Sequence, residues 1–177
     1  YFLIFLAFAL FYPAVPIHAA VGLGWEMSQL GVYFSILSLV MIVIQGPVMT
    51  YLSPRVSEKP LVLIGSLVMF VSFVLLQNHD TVLVYAAAVL FAVGNGIMWP
   101  SYLSLLGQIG EAGDQGYIQG LASSAGSLAS IIGLVIGGFL YSLLASTSFV
   151  IAAMVFIVVF GLASMLRSGK NKPTASD

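Results

Sequence analysis

Apolar residues run along this chain in long unbroken blocks, without the alternation of polar and apolar positions that marks a half-buried strand. Charge-free runs cover 1–25, 27–54, 60–79, 81–110 and 115–166. A helix needs about 20 predominantly apolar residues to cross a ~30 Å hydrocarbon core. The pattern predicts membrane-spanning helices at about 1–20, 28–52, 60–77, 81–106, 115–142 and 147–167, followed by a tail at 168–177. The run from Gln115 to Leu166 would be about 78 Å long as one helix, more than twice the hydrocarbon thickness, so it must turn back. Ser142 to Ser148, with Ser146 and Thr147 inside it, is the polar stretch available for that turn. Lack of alternation excludes a membrane β-barrel. The expected fold class is all-α integral membrane, with six transmembrane helices forming one bundle.

Composition sharpens this picture. Charged residues make up 6% of the 177 residues, against roughly 25% in a soluble domain, and the mean hydropathy is +1.11. Such a chain cannot furnish a polar exterior. Zero cysteines exclude disulfides, thiolate metal sites and a cysteine nucleophile. A net charge of -1 offers no basic surface, so no nucleic-acid partner is expected. Tyr1 opens directly into apolar sequence, with no start Met and no basic leader, and the chain reads as a piece of something longer.

Lysine and arginine set the orientation. With six spans, Arg55 and Lys59 in the second loop and Arg167, Lys170 and Lys172 after the last helix all lie on one side. That side, which also carries Tyr1 and the C-terminus, is expected to be cytoplasmic, in a plasma or inner membrane. Five or seven spans would split the basic residues across the bilayer.

No Asp, Glu, Lys or Arg lies well inside any predicted helix: Glu26 and Asp80 fall in outer loops, and Glu58, Glu111 and Asp114 in inner ones. A midplane carboxylate for proton relay is missing from this stretch, so any coupling residues are expected in sequence outside it. The fourth helix carries Gly94-Asn95-Gly96-Ile97-Met98-Trp99-Pro100-Ser101. Pro100 should bend it. Asn95 near mid-span either bonds another helix or faces a substrate cavity, since an unpaired amide is costly there. Trp99 one turn on, and Tyr102 after it, can pack or stack on an aromatic or cationic solute.

The fifth helix spaces Gly116 and Gly120, then Gly133 and Gly137, four residues apart, with Gly138 beside them. This spacing predicts tight backbone packing, compatible with rocking against a partner. Gln119 sits one turn inside its inner end, lining a mouth or meeting headgroups. The first helix has Pro13 and Pro16, which predict a break or kink beside protein or water rather than lipid, and then His18. That histidine is an interfacial side chain or a proton-exchange group. His79 is read as a loop residue remote from it, and no metal site or cofactor is expected. The second helix holds Gln45 and Gly46-Pro47, with Gln45 bonding across helices or facing the cavity. Arg55, Glu58 and Lys59 form a short loop able either to latch onto helix termini or simply to serve topology.

The combination resembles the C-terminal half of a major facilitator superfamily transporter, over nearly the whole chain. Gly46 through Arg55 and Lys59 is similar to the weaker form of the family's Gly-x-x-x-Asp-Arg-x-Gly-Arg-Arg loop between helices eight and nine. Pro54 stands where the family has Asp. Gly94 to Pro100 looks like helix ten. Gly116 to Gly138 looks like helix eleven, closest to the drug:proton antiporter branch, though Leu134 replaces the usual Pro. The resemblance implies two facing six-helix bundles with a central small-molecule site, alternating access and no covalent chemistry. It also implies a cavity wall from the first, second, fourth and fifth helices, with the third and sixth facing lipid. The expected partners are a small-molecule substrate, protons, the lipid bilayer and a second six-helix bundle. Proton-coupled export of lipophilic, drug-like molecules leads; uptake of a sugar or other neutral solute, or a non-transport structural module, are the alternatives.

Overall fold

The computed structural model describes residues 1–109 and 113–165. Glu111 and the tail at 168–177, together with Arg167, Lys170 and Lys172, lie outside the described residues. Every described element is helical. Helix α1 (Phe2–Ile17) passes into a π-helical turn (His18–Gly22). Helix α2 (Met27–Val43) continues through a second π turn (Ile44–Val48) into the short α3 (Met49–Leu52). Then come α4 (Glu58–Leu76), α5 (Thr81–Gly107), α6 (Gln115–Leu144), a 3-10 turn (Ala145–Thr147) and α7 (Ser148–Met165).

Local chemistry marks the starts of these helices. The Asp80 carboxylate accepts from the backbone N–H of Val82 and Leu83, capping α5. Glu26 and Gln29 form a reciprocal capping box at α2.

Five segments are long and apolar enough to cross a bilayer: Phe2–Gly22, Met27–Leu52, Glu58–Leu76, Thr81–Gly107 and Gln115–Met165. The count is five rather than the expected six because α6, the 3-10 turn and α7 adjoin without a break and form one 51-residue helical segment. It is not one straight rod. Ala145, with φ 49, is the sole non-glycine residue at positive φ among the described residues and ends α6. Tyr141 near the end of α6 and Phe149 near the start of α7 both touch the His18 ring, while Ser164 near the end of α7 meets Lys59. Helix α7 therefore runs back alongside the bundle.

Helix α1 lies against α6 and α7, α4 lies between α5 and α7, and α2 leans on α5. The centre is aromatic: Phe11 stacks on Phe91 at 4.5 Å, Phe73 lies 5.5 Å from Phe11, and Phe156 lies 5.3 Å from Phe73. Each such pair adds about 0.5–1.5 kcal/mol beyond its buried area. In lipid, close contact rather than water exclusion holds helices together, and glycines supply it. A Cβ on Gly133 would stand 2.5 Å from that of Ala9, and one on Gly137 3.0 Å from Leu10 Cα. Gly65 and Gly94 bring α4 and α5 together in the same way, backbone to backbone.

The helix break expected at Pro13 and Pro16 is not there. Helix α1 runs through both prolines, and the irregularity falls one turn later, at the π turn. Pro13 has no N–H for the Ala9 carbonyl. That oxygen faces Gly137 instead, whose bare backbone leaves it room. Helix α5 likewise stays α-helical through Pro100.

Candidate functional site

A cleft of about 420 Å³ opens between α1, α2, α5 and α6. Helix α1 contributes Phe5, Phe8, Ala9 and Tyr12 to it. Met41 and Gln45 come from α2 and its π turn, Asn95 and Trp99 from α5, and Ser130 and Leu134 from α6. Helices α4 and α7 contribute none of its lining.

Three consecutive residues of α5 explain how the cleft acquires its amide. Side chains on a helix are about 100° apart, so neighbours in sequence face different partners. Gly94 faces α4, where an added Cβ would be 3.0 Å from the Gly65 carbonyl oxygen. Gly96 faces the π turn that follows α2, where an added Cβ would be 2.6 Å from Ile44 Cγ2. Asn95, between them, lines the cleft. Its Nδ2 donates to Met41 Sδ at 3.7 Å, and its Oδ1 is buried with no partner. Beside Gly96 stands Gln45, whose Cγ would lie 3.7 Å from that added Cβ. Gln45 sits on the Ile44–Val48 π turn, a local widening that often marks functional sites.

Trp99 forms one wall. Phe5 presents an edge to it at 5.5 Å and Tyr1 another at 5.6 Å, while Tyr102 stacks at 6.1 Å. Tyr102 itself lies behind this wall, lining a second, apolar cavity of about 430 Å³. The cleft is lined by no charged side chain; it offers aromatic faces, two carboxamides and the residues Tyr12 and Ser130. Such a lining can hold and orient an apolar solute with a few polar groups.

The remaining candidate residues lie elsewhere. His18 is buried at one end of the bundle, with Nδ1 3.0 Å from the Tyr141 hydroxyl and Nε2 3.0 Å from the Asn78 carbonyl oxygen. The reading of His79 as remote is corrected, since the two imidazoles sit 5.2 Å apart, edge to face. The loop carrying His79 folds over the end of α1, which spacing in sequence could not show. Among the described residues no group of three or more His, Cys, Asp or Glu could hold a metal.

Gln119 is exposed on α6, away from the cleft lining. Gly133 and Gly137 pack against α1, whereas Gly46, Gly116, Gly120 and Gly138 have nothing within 4 Å of an added Cβ. Arg55 folds back on its own turn, donating to the Tyr51 carbonyl and lying 3.7 Å over the Tyr51 ring. Its neighbours do the latching. The Glu58 carboxylate accepts from Ser104 and Gln108 of α5, and Lys59 donates to the Ser164 carbonyl of α7 at 2.7 Å.

Sequence reasoning passed over the α1 face of the cleft. Tyr1, Phe5, Phe8 and Tyr12 follow one another at spacings of four, three and four, an aromatic stripe along one helix face. That stripe was the available signal. Met41 and Ser130 carry none that separates them from ordinary helix residues.

Comparison with known proteins follows the geometry. The chain is 24% identical over 159 residues to "Uncharacterized MFS-type transporter YttB" of Bacillus subtilis (strain 168), covering 88% of this chain and 40% of that protein. It is 28% identical over 156 residues to "Multidrug resistance protein 2" of the same organism, covering 86% of this chain and 38% of that protein. The matched stretch thus spans about two fifths of the length of these curated relatives. A family model described as Major Facilitator Superfamily matches residues 1–177. The chain, a multi-pass membrane protein by its apolar helices and its relatives, belongs to the Major Facilitator Superfamily.

Proposed function

We propose that this chain is half of a secondary transporter that exports lipophilic, drug-like molecules in exchange for protons by alternating access. The observation that carries the reading is the uncharged cleft between α1, α2, α5 and α6, where aromatic rings surround Asn95 and Gln45. A large apolar solute gains contact area from such walls, and a cationic one gains a further attraction from Trp99. The relative named as a multidrug resistance protein points the same way.

Six crossings are supported by the reversal at Ala145, which divides the last apolar segment into two antiparallel helices. With six, Arg55 and Lys59 lie on the cytoplasmic side, and so do both ends of the chain. A second six-helix bundle completes the central site. Helix α2, with only Tyr33 and Leu37 buried, and the exposed face of α6 are the surfaces left for it. No carboxylate lies within the described helix interiors, so the coupling group belongs to that second bundle.

The test is flux by the full-length protein reconstituted in vesicles under an imposed pH gradient, using lipophilic cationic dyes. Gradient-dependent dye movement that weakens in Trp99→Ala supports the reading. Gradient-dependent uptake of a neutral sugar without dye movement would transfer the two amides to sugar hydroxyls. Absence of either flux would leave the structural-module alternative.

A further inference from the structure

The second cavity, of about 430 Å³, has the size of an ordinary small-molecule pocket. It is lined by Leu3 at the start of α1, Val62 of α4, Tyr102 and Leu106 near the end of α5, and Val159 and Ala163 of α7. Among the described residues no charged side chain and no carboxamide lines it. Apolar walls around open space lack contacts on one side and gain them when an apolar molecule enters.

What closes the cavity indicates which molecule that is. Helix α1 lies against α7, α7 against α4 and α4 against α5, so those flanks are helix packed on helix. The remaining flank, between α1 and α5, is closed by rings. Phe5 lies 5.5 Å from Trp99, and Tyr1, at the head of α1, lies 5.6 Å from Trp99 and 5.9 Å from Tyr102. Tyr1 and Tyr102 line the cavity, whereas Phe5 and Trp99 line the cleft. The two spaces therefore share one wall, and side chains alone make it.

No polar contact holds that wall shut. Among the described residues neither the Trp99 indole N–H nor the Tyr102 hydroxyl makes a hydrogen bond. Rings can turn by rotamer changes, without displacing a helix. The turn of α5 that carries both is also one bond short, because Pro100 has no N–H for the Gly96 carbonyl.

We infer that this cavity is a second site for the transported molecule, joined to the cleft when Trp99 and Tyr102 turn. The inference rests on the reading of the cleft as a transport site. The cavity takes a flat lipophilic solute whose charge, if any, is spread over its rings. A compact ammonium would lose its water there with no carboxylate in return, whereas a delocalised cation can face the rings of Tyr1 and Tyr102. On the orientation proposed above, the cavity lies nearer the cytoplasm than the cleft, since Val62 stands one turn from Lys59. An exported molecule meets it first.

Ethidium monoazide, a flat lipophilic cation that attaches to its surroundings under light, tests this on the full-length protein in vesicles. Labelled peptides are located by mass spectrometry. Adducts are expected in two places, around Phe8 and Tyr12 in the cleft and around Leu106 and Val159 in the cavity, and excess ethidium should suppress both. Ala163→Phe and Leu105→Trp each put a larger ring into the cavity. Either should remove the second set of adducts, keep the first and lower ethidium flux about fivefold.

Cleft adducts without cavity adducts in the wild type overturn the inference and leave the transport reading intact. So does a phosphatidylcholine with a photoactivatable acyl chain that labels the cavity and is not displaced by excess ethidium, because the space then belongs to lipid. Cavity adducts and flux that persist unchanged in both folded variants do the same. The wild-type pattern needs no variant, so a folding failure does not protect the proposal. Absence of every ethidium adduct and of ethidium flux overturns the reading of drug-like export, and the inference with it.

Discussion

His18 Nδ1 and the Tyr141 hydroxyl meet at 3.0 Å, tying α1 to α6 across 123 residues of sequence. A carbonyl oxygen only accepts, so Nε2, 3.0 Å from the Asn78 oxygen, carries the ring proton. The neutral ring then accepts the Tyr141 O–H at Nδ1. One imidazole thereby joins the end of α1, the loop before α5 and the end of α6, with Phe149 of α7 against its face. Tyr141→Phe is expected to lower stability by about 1 kcal/mol. His18→Ala, which strands both the hydroxyl and the carbonyl and leaves a void, should cost about 2–4 kcal/mol. Thermal unfolding of the full-length protein in detergent reads both. The double variant should fall short of their sum, since the two changes remove one shared bond.

Tyr33 predicts the opposite sign for the same chemical change. Its hydroxyl is buried without a partner, among the rings of Trp25, Phe34 and Tyr85. Removing an unpaired buried hydroxyl while keeping the ring should leave stability unchanged or raise it by up to about 1 kcal/mol. A loss in Tyr33→Phe would show that the hydroxyl has a partner in the full-length protein.

The glycines of α6 divide by face, and so should their variants. Gly133→Ala and Gly137→Ala drive a methyl into α1 and should cost about 1–3 kcal/mol each. Gly138 has open space at the corresponding position, and alanine is the better helix former. Gly138→Ala is expected to be neutral or stabilising in the same unfolding experiment.

Transport variants should follow the cleft rather than the polarity of the residue. Trp99→Ala is expected to reduce dye flux about five- to thirtyfold, through loss of roughly 1–2 kcal/mol of stacking and contact. Gln119→Ala, at a residue outside the cleft lining, should leave flux unchanged. Equal effects of the two would move the substrate away from the wall built by Phe5, Trp99 and Tyr1.

Helical class was legible in the sequence, because crossing a bilayer demands long apolar runs. The expected 81–106 and the observed Thr81–Gly107 differ by one residue, with Asp80 as the cap. Proline content was less informative. Pro13 and Pro16 foretold a break or kink, and α1 continues through both; the Ala9 carbonyl that lacks the Pro13 donor has room beside Gly137. Asn95, Trp99 and Gln45 were named as candidates and share a cleft. His18, named as an interfacial or proton-exchange group, and Gln119, named from its depth, do not line it, because neither chemistry nor depth tells which way a side chain turns.

The sequence by itself therefore determined that this chain is helical, resides in the membrane and carries few polar groups, since those properties are sums over local composition and the bilayer imposes them directly. Only the tertiary structure decided which glycine touches which helix, that Asn95 is left between two clamped neighbours, and that His18 meets Tyr141 and His79. Those relationships depend on the rotation and register of each helix against the others. In a chain whose helices are apolar on every side, no hydrophobic stripe announces the inward face, and contact between small residues decides it instead.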